Sequence, residues 1–180
     1  MPVNDPILDL MNDHRLIERV LDALDARLAS SPPAPFPADF VDQALDFLVH
    51  FADGSHHYKE EEALFPALAE RGVPVEGGPI GMMLYEHTIG RKSIAGIREN
   101  LPAARTGDPE ALARLRNFVT EYTGLLRNHI WKEDNILFKM AGRALDCAAV
   151  DRLAAAFNDE QNPRVNSHLR ARYIAFANSL

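Results

Sequence analysis

Apolar positions recur at three- and four-residue spacing almost from the start of the chain, the period that stacks side chains on one face of an α-helix. The first stripe runs Ile7, Leu10, Met11, His14, Ile17, Leu21, Leu24 and Leu28. Ahead of it, Asp5-Pro6 supplies a capping carboxylate and a proline whose missing N–H costs nothing at the first helical position. The Pro-rich stretch Ser30-Ser31-Pro32-Pro33-Ala34-Pro35 stops that helix. A second start at Pro37-Ala38-Asp39 leads into Leu45, Val49, Ala52, His56, Glu60, Ala63 and Ala67 on one face. Gly54 lies inside this long helix, where glycine costs about 1 kcal/mol against alanine, so tight packing or an irregularity is expected there. Gly72 to Gly78 reads as a loop.

A third helix opens at Pro79 and carries Ile80, Met83, Leu84, His87, Ile94 and Leu101 before Pro102 and the Thr106-Gly107-Asp108-Pro109 turn close it. Asp108-Pro109 repeats the first start signal. The fourth helix then runs through Leu115, Phe118, Tyr122, Leu125, Leu126, His129, Glu133, Ile136, Leu137 and Met140. Beyond Gly142 the chain reads as two shorter helices parted at Asn162-Pro163, with stripes Val150, Leu153, Ala154, Phe157 and Tyr173, Ile174, Phe176 that cover one flank. No strand-type alternation occurs. The fold expected is all-α: an antiparallel up-down-up-down four-helix bundle over residues 1–145, with a C-terminal helical extension over 146–180 packed on it.

Composition narrows the partners more than the fold. The 180 residues are 47% apolar and 25% charged, ordinary for one well-cored soluble domain. A net charge of −7, without a local Lys/Arg cluster, argues against nucleic acid or an anionic membrane as a partner. The single Cys147 forms no internal disulfide, and Met1-Pro2-Val3-Asn4-Asp5 lacks the basic and apolar regions of a signal peptide, so a cytoplasmic protein is expected.

The candidate chemistry lies in a repeat. His56-His57-Tyr58-Lys59-Glu60-Glu61, followed by Leu64-Phe65, returns as His129-Ile130-Trp131-Lys132-Glu133-Asp134, followed by Leu137-Phe138. A His and a Glu four apart share a helix face one turn from each other, which suits a common metal ion. In an up-down-up-down bundle His14, His56, Glu60, His87, His129 and Glu133 all fall about 7 to 14 residues from one end, roughly 10 to 20 Å deep, and all on apolar stripes. A lone histidine on such a stripe is ordinarily just hydrogen-bonded. Four in one layer with two glutamates differ, because each buried carboxylate costs several kcal/mol that neutral imidazoles do not offset and a dinuclear cation centre does. His57 and Glu61 repeat the spacing on a face shared with Asp46, His50 and Asp53, and Ile130 replaces His57 in the second copy. His56 and Glu60 are therefore the expected ligands, and Glu61, Glu62 and Asp134 a solvated acidic edge. His50 and His168 are expected on the surface. Tyr58, Tyr85 and Trp131 are expected in the core or an interface, and Tyr122, about two turns before His129, is a candidate outer hydrogen-bond donor.

These residues, with Asp13-His14, Leu64-Phe65-Pro66 and Glu86-His87 with Gly90-Arg91, resemble the hemerythrin-like family of HHE cation-binding proteins over roughly Asp5 to Gly142. The resemblance implies a four-helix bundle holding two iron ions (Fe2+/Fe3+) bridged by the glutamates and an oxo or hydroxo group, with O2, peroxide or NO binding at an open iron position. Hemerythrin proper has two histidines one turn apart in the third helix, and the position one turn before His87 is Met83. His57 or Glu86 is expected to replace that imidazole, or else a coordination position stays open and favours inner-sphere reaction with peroxide or NO. Zinc and manganese are compatible with the same donors. The expected protein is a monomer or homodimer that binds, senses or detoxifies such small oxidants, as in oxidative stress. The alternative is a metal- or oxygen-responsive regulatory or iron-storage module without turnover.

Overall fold

A computed structural model describes residues 5–29 and 35–180, all of whose regular structure is helical. We number six helices. α1 is Pro6–Ala29. α2 is one continuous rod of four segments, Ala38–Phe47, Leu48–His57, Glu60–Leu64 and Phe65–Ala69, of which the second and third are wound as π-helix. α3 is Pro79–Arg105. α4 joins Pro109–Lys132, a π segment Glu133–Leu137 and Phe138–Ala144. α5 is Cys147–Phe157 and α6 is Ser167–Asn178.

The start signals act through hydrogen bonds. Asp5 Oδ1 accepts from the Ile7 and Leu8 N–H groups at 2.9 and 3.3 Å, and Asp108 Oδ1 from those of Glu110 and Ala111 at 2.9 and 3.2 Å. Each satisfies two of the N–H groups that a helix start leaves free. Pro102 does not end α3, which continues to Arg105 and stops at Gly107, whose φ of 92° suits a residue without Cβ. The expected stop after α1 falls at residues 30–34, outside the described residues.

Around Gly54 the expected irregularity takes the form of π winding. In a π turn the hydrogen bond spans five residues, the turn widens, and neighbouring side chains diverge less around the axis. Here the wider turn brings the Val49 carbonyl oxygen to 3.1 Å from where a Cβ on residue 54 would stand. Its larger effect falls three residues on, where His56 and His57 both turn inward and both are buried.

Two apolar clusters sandwich the polar layer. One gathers Leu10, Leu64, Phe65, Leu68, Ile80, Met83, Leu137 and Phe138, with Leu153 and Phe157 of α5 closing it. The other is larger, running from Ile17 and Leu21 through Phe47, Phe51, Leu115 and Leu126 to Tyr173 of α6. Ile136, placed on the apolar stripe, is 46% exposed, and Tyr85 and Trp131 stand in solvent at 62% and 60% rather than in the core. α6 is fixed by polar contacts as well: the Tyr173 hydroxyl donates to Asp46 at 3.0 Å, and the Arg170 guanidinium to Asp13 at 2.7 and 3.0 Å. No helix among the described residues is long and apolar enough to cross a membrane.

Candidate metal centre

Between the two clusters, four helices deliver seven side chains to one layer. They form two groups, His14, His56, Glu60 and Glu133, and His57, Glu60, His87 and His129, and within each group one donor atom per residue lies within 4.8 Å of the others. All seven are buried, and Glu60 and Glu133 are at 0% exposure. Glu60 belongs to both groups: Oε1 lies 3.4 Å from His56 Nε2 and Oε2 lies 3.6 Å from His87 Nε2. Glu133 Oε2 similarly lies 3.2 Å from His14 Nε2 and 3.3 Å from His129 Nε2.

Four of the five imidazoles are oriented by a carboxylate behind them, and the fifth, His56, has one nearby. The Nδ1 atoms of His14, His57, His87 and His129 lie 2.7, 3.1, 2.7 and 3.0 Å from Asp134, Asp53, Glu61 and Glu86. His56 Nδ1 stands 3.7 Å from Asp13. A carboxylate only accepts, so in a neutral ring it holds the proton on Nδ1 and leaves Nε2 as a bare lone pair aimed inward. The inward nitrogens face each other: His14 Nε2 and His56 Nε2 are 3.0 Å apart, His87 Nε2 and His129 Nε2 3.1 Å. In the second pair both rings carry their proton on Nδ1, so neither has a hydrogen to give the other, and no oxygen of Glu60 or Glu133 has a hydrogen-bond partner. Inward lone pairs and orphaned buried carboxylate oxygens form a donor set for cations, and the carboxylate–imidazole–cation relay is the usual outer arrangement of such sites.

The titration behaviour follows from the same contacts. Burial pushes His56 down to about 4 and, with the neighbouring His87, holds His57 well below its ordinary value of 6.5. Burial also lowers His87, against the pull of Glu61. At His14 burial opposes the cation, but the bond to Asp134 and the adjacent charge of Glu133 prevail and carry it up to about 9. Burial and the facing Glu133 raise Glu60 well above the carboxylate range, whereas for Glu133 burial is outweighed by His129 and His14, which hold it low. One shared proton between the two glutamates is the outcome expected of like charges packed together without a cation.

The structure brings together all six residues expected as ligands and adds His57 as the fifth imidazole. Position 83 contributes nothing, since Met83 is buried in the apolar cluster with Phe65 and Ile80. Glu86 is not among the inward donors: it accepts from His129 and pairs with Lys132 from behind. Glu61 and Asp134 are likewise not a solvated edge. Glu61 holds His87 and Asp134 holds His14, their side chains 22% and 12% exposed, while Glu62 is exposed as expected. Arg91 ties two of these outer carboxylates together, donating to Asp53 at 2.8 Å and Glu61 at 2.7 Å. Behind His56, the fully buried Lys59 donates to Asp9 at 2.6 Å and Asp13 at 3.1 Å. One residue of each outer pair lay open in the sequence as an acidic neighbour of a candidate ligand, but which imidazole it serves depends on a different helix in all cases except Asp53.

A cavity of about 200 Å³ reaches the layer from one side only. It is lined by His57, His87 and His129, and by Asp53, Tyr122, Arg91 and Arg98 among aliphatic side chains, whereas His14, His56, Glu60 and Glu133 do not border it. Tyr122 is 3% exposed, packs against Gly90 and gives its phenol to none of the imidazoles, contrary to the expected donor role.

A family model described as the hemerythrin HHE cation binding domain matches residues 5–141. Uncharacterized proteins of Mycobacterium bovis (Mb2018) and Mycobacterium tuberculosis (Rv1995 and MT2051) are each 24% identical over 167 residues, which is 91% of this chain. The chain spans 64% of the length of these relatives.

Proposed function

For a chain that belongs to the hemerythrin HHE cation-binding family, we propose that the seven inward donors hold two iron ions and that the centre binds a small oxidant, O2, peroxide or NO. The observation that supports it most is the convergence of the Nε2 atoms, with the His87 and His129 lone pairs face to face, beside four unpartnered oxygens of Glu60 and Glu133. Burying two carboxylates with bare imidazoles is costly, and two divalent cations offset that cost. The mixed imidazole and carboxylate set suits iron, and zinc or manganese are outcomes of the test rather than the reading. The reading goes with four long helices running up-down-up-down, which sets the ligand-bearing turns of α1 to α4 at one level, and with a cytoplasmic setting.

The chain's own residues then divide the work. Glu60, which belongs to both donor groups, and Glu133, beside His14 and His129, would hold the cations and offset their charge. Asp134, Asp53, Glu61 and Glu86 fix the tautomers and ring planes of four imidazoles, so little rearrangement accompanies a change of charge at the centre. Iron held there would supply redox chemistry. The cavity decides where a ligand arrives, which is beside His57, His87 and His129.

The test is to load the purified protein with ferrous iron anaerobically, measure metal per chain after desalting, and record absorbance on admitting air, hydrogen peroxide or NO. Two irons per chain and an oxidant-dependent visible band are expected. Protein that retains no metal after loading overturns the reading. Sustained consumption of peroxide or NO marks an enzyme, and a stoichiometric spectral change alone marks a sensor or store.

A further inference from the structure

The cavity beside His57, His87 and His129 is longer than a diatomic ligand needs. Its α3 wall extends from His87 to Arg98, eleven residues or about 16 Å along the helix axis. Between those ends Leu48, Val49, Ile94, Leu125 and Leu126 give it an aliphatic side, and the charged groups that also border it are already paired, Asp53 with Arg91 and Glu86 with His129 and Lys132. The two ends are polar and, among the described residues, unsatisfied. At the outer end Arg98 is exposed and has no carboxylate within ion-pair distance, in contrast to Arg91, which is held by Asp53 and Glu61. At the inner end the phenol of Tyr122, most of whose ring is buried, borders the cavity and makes no hydrogen bond to a described protein group. An apolar passage with an unpaired cation at its mouth and an idle hydroxyl at its floor complements a particular kind of molecule.

We propose that this cavity binds an amphipathic organic carboxylate, its charge paired with Arg98, its hydrocarbon body along the aliphatic walls, and an oxygen function at its far end hydrogen-bonded to Tyr122 beside the three imidazoles. The occupant follows from charge and shape: an alkylammonium would meet Arg98 with like charge, and a plain alcohol would leave the guanidinium unused. The site goes beyond the iron reading and does not depend on the identity of the ion.

The test is calorimetric titration of the iron-loaded protein with octanoate, its ω-hydroxy derivative, octanol and octylamine, with iron content measured in parallel. Saturable one-to-one binding of both carboxylates is expected, tighter for the ω-hydroxy compound, with octanol weaker and octylamine not bound. Arg98→Glu, a change at an exposed position, should weaken both carboxylates about tenfold, the scale of one charge-assisted hydrogen bond, and leave octanol unchanged. Tyr122→Phe should remove the preference for the ω-hydroxy compound. Ile94→Trp should block all binding while circular dichroism stays helical. No saturable binding of octanoate, equal binding of octanol, or carboxylate affinity untouched by Arg98→Glu overturns the proposal. Octanoate binding to a protein that holds no iron would sustain this site and defeat the iron reading.

Discussion

His57 lies flat against His87, their ring centroids 3.8 Å apart and their planes within 16°. One ring comes from α2 and the other from α3, and at that separation two imidazolium charges would repel strongly, so the stack requires neutral rings. Their outer carboxylates, Asp53 and Glu61, are joined through Arg91, which makes the pair a single unit spanning two helices.

Removing His57 should therefore empty one half of the centre. In His57→Leu, the group with His87 and His129 should lose its ion, with metal per chain falling from two to one. The affinity loss should exceed the roughly 10–100-fold typical of an outer partner. Metal analysis after dialysis against a mild chelator checks this, and two ions retained would rule out a ligand role for His57.

The outer carboxylates should matter where their exposed neighbour does not. Glu61→Gln takes the negative charge from the acceptor that holds the proton on His87 Nδ1, and should weaken metal binding about 10–100-fold. Glu62→Gln, one residue on and exposed, should leave it unchanged. Competition titrations with a chromophoric chelator separate the two, and equal effects would contradict the relay.

Chelation should cost the wild-type protein stability that Glu60→Gln no longer has to lose. Glu60 faces both groups and its oxygens have no other partner, so its carboxylate is useful only with cations present. Glutamine mimics the protonated side chain that burial favours without them. The chelated variant should melt within about 2–4 °C of chelated wild type, the equivalent of about 1 kcal/mol for a chain of this size. The loaded variant should lack the wild-type gain on metal addition. Calorimetry of the four samples decides it.

Much of this was legible in the chain. The repeated His-Glu spacing, the aspartate-proline starts and the depth of each candidate along its stripe put His14, His56, Glu60, His87, His129 and Glu133 in one layer. His57 stands only as a substitute for the missing imidazole, alongside Glu86, because its helix face carries Asp46, His50 and Asp53 and the second copy has Ile130 there. It is the π winding around Gly54 that turns it inward beside His56. Gly54 itself signalled an irregularity without saying which. Glu61 and Asp134 were taken for solvated acids because sequence shows a carboxylate's neighbours along its own helix. The rings they orient belong to α3 and α1.

The chelated protein should be most stable near neutral pH. His56 at about 4, and His57 and His87 below 6.5, mean that the unfolded chain binds more protons than the folded one between about pH 6.5 and 4. Stability from these three is complete above 6.5 and is lost as pH falls through that window. Glu60, protonated in the fold, offsets one of them, leaving a net slope of about 3 kcal/mol per pH unit at most. His14 has the opposite sign: raised to about 9, it contributes below 6.5 and is lost as pH rises through 9. Urea midpoints across this range should form a dome, and a flat profile would show that the imidazoles are not held as described.

Arg170→Ala should destabilise the protein by about 1–3 kcal/mol, because it takes one cation from an Asp13 that is 1% exposed. The melting temperature should drop about 2–4 °C per kcal/mol. An unchanged value would mean that Lys59 alone suffices.

Asp13 also bears on how portable the metal-binding unit is. It is gripped by Lys59 from α2 and by Arg170 from α6, and α6 lies wholly beyond residue 141, where the family match ends. A graft cut at that boundary would carry all seven inward donors yet leave the carboxylate beneath His56 half neutralised. Whoever transplants this centre into another scaffold has to bring the last helix with it, or supply a substitute for one guanidinium.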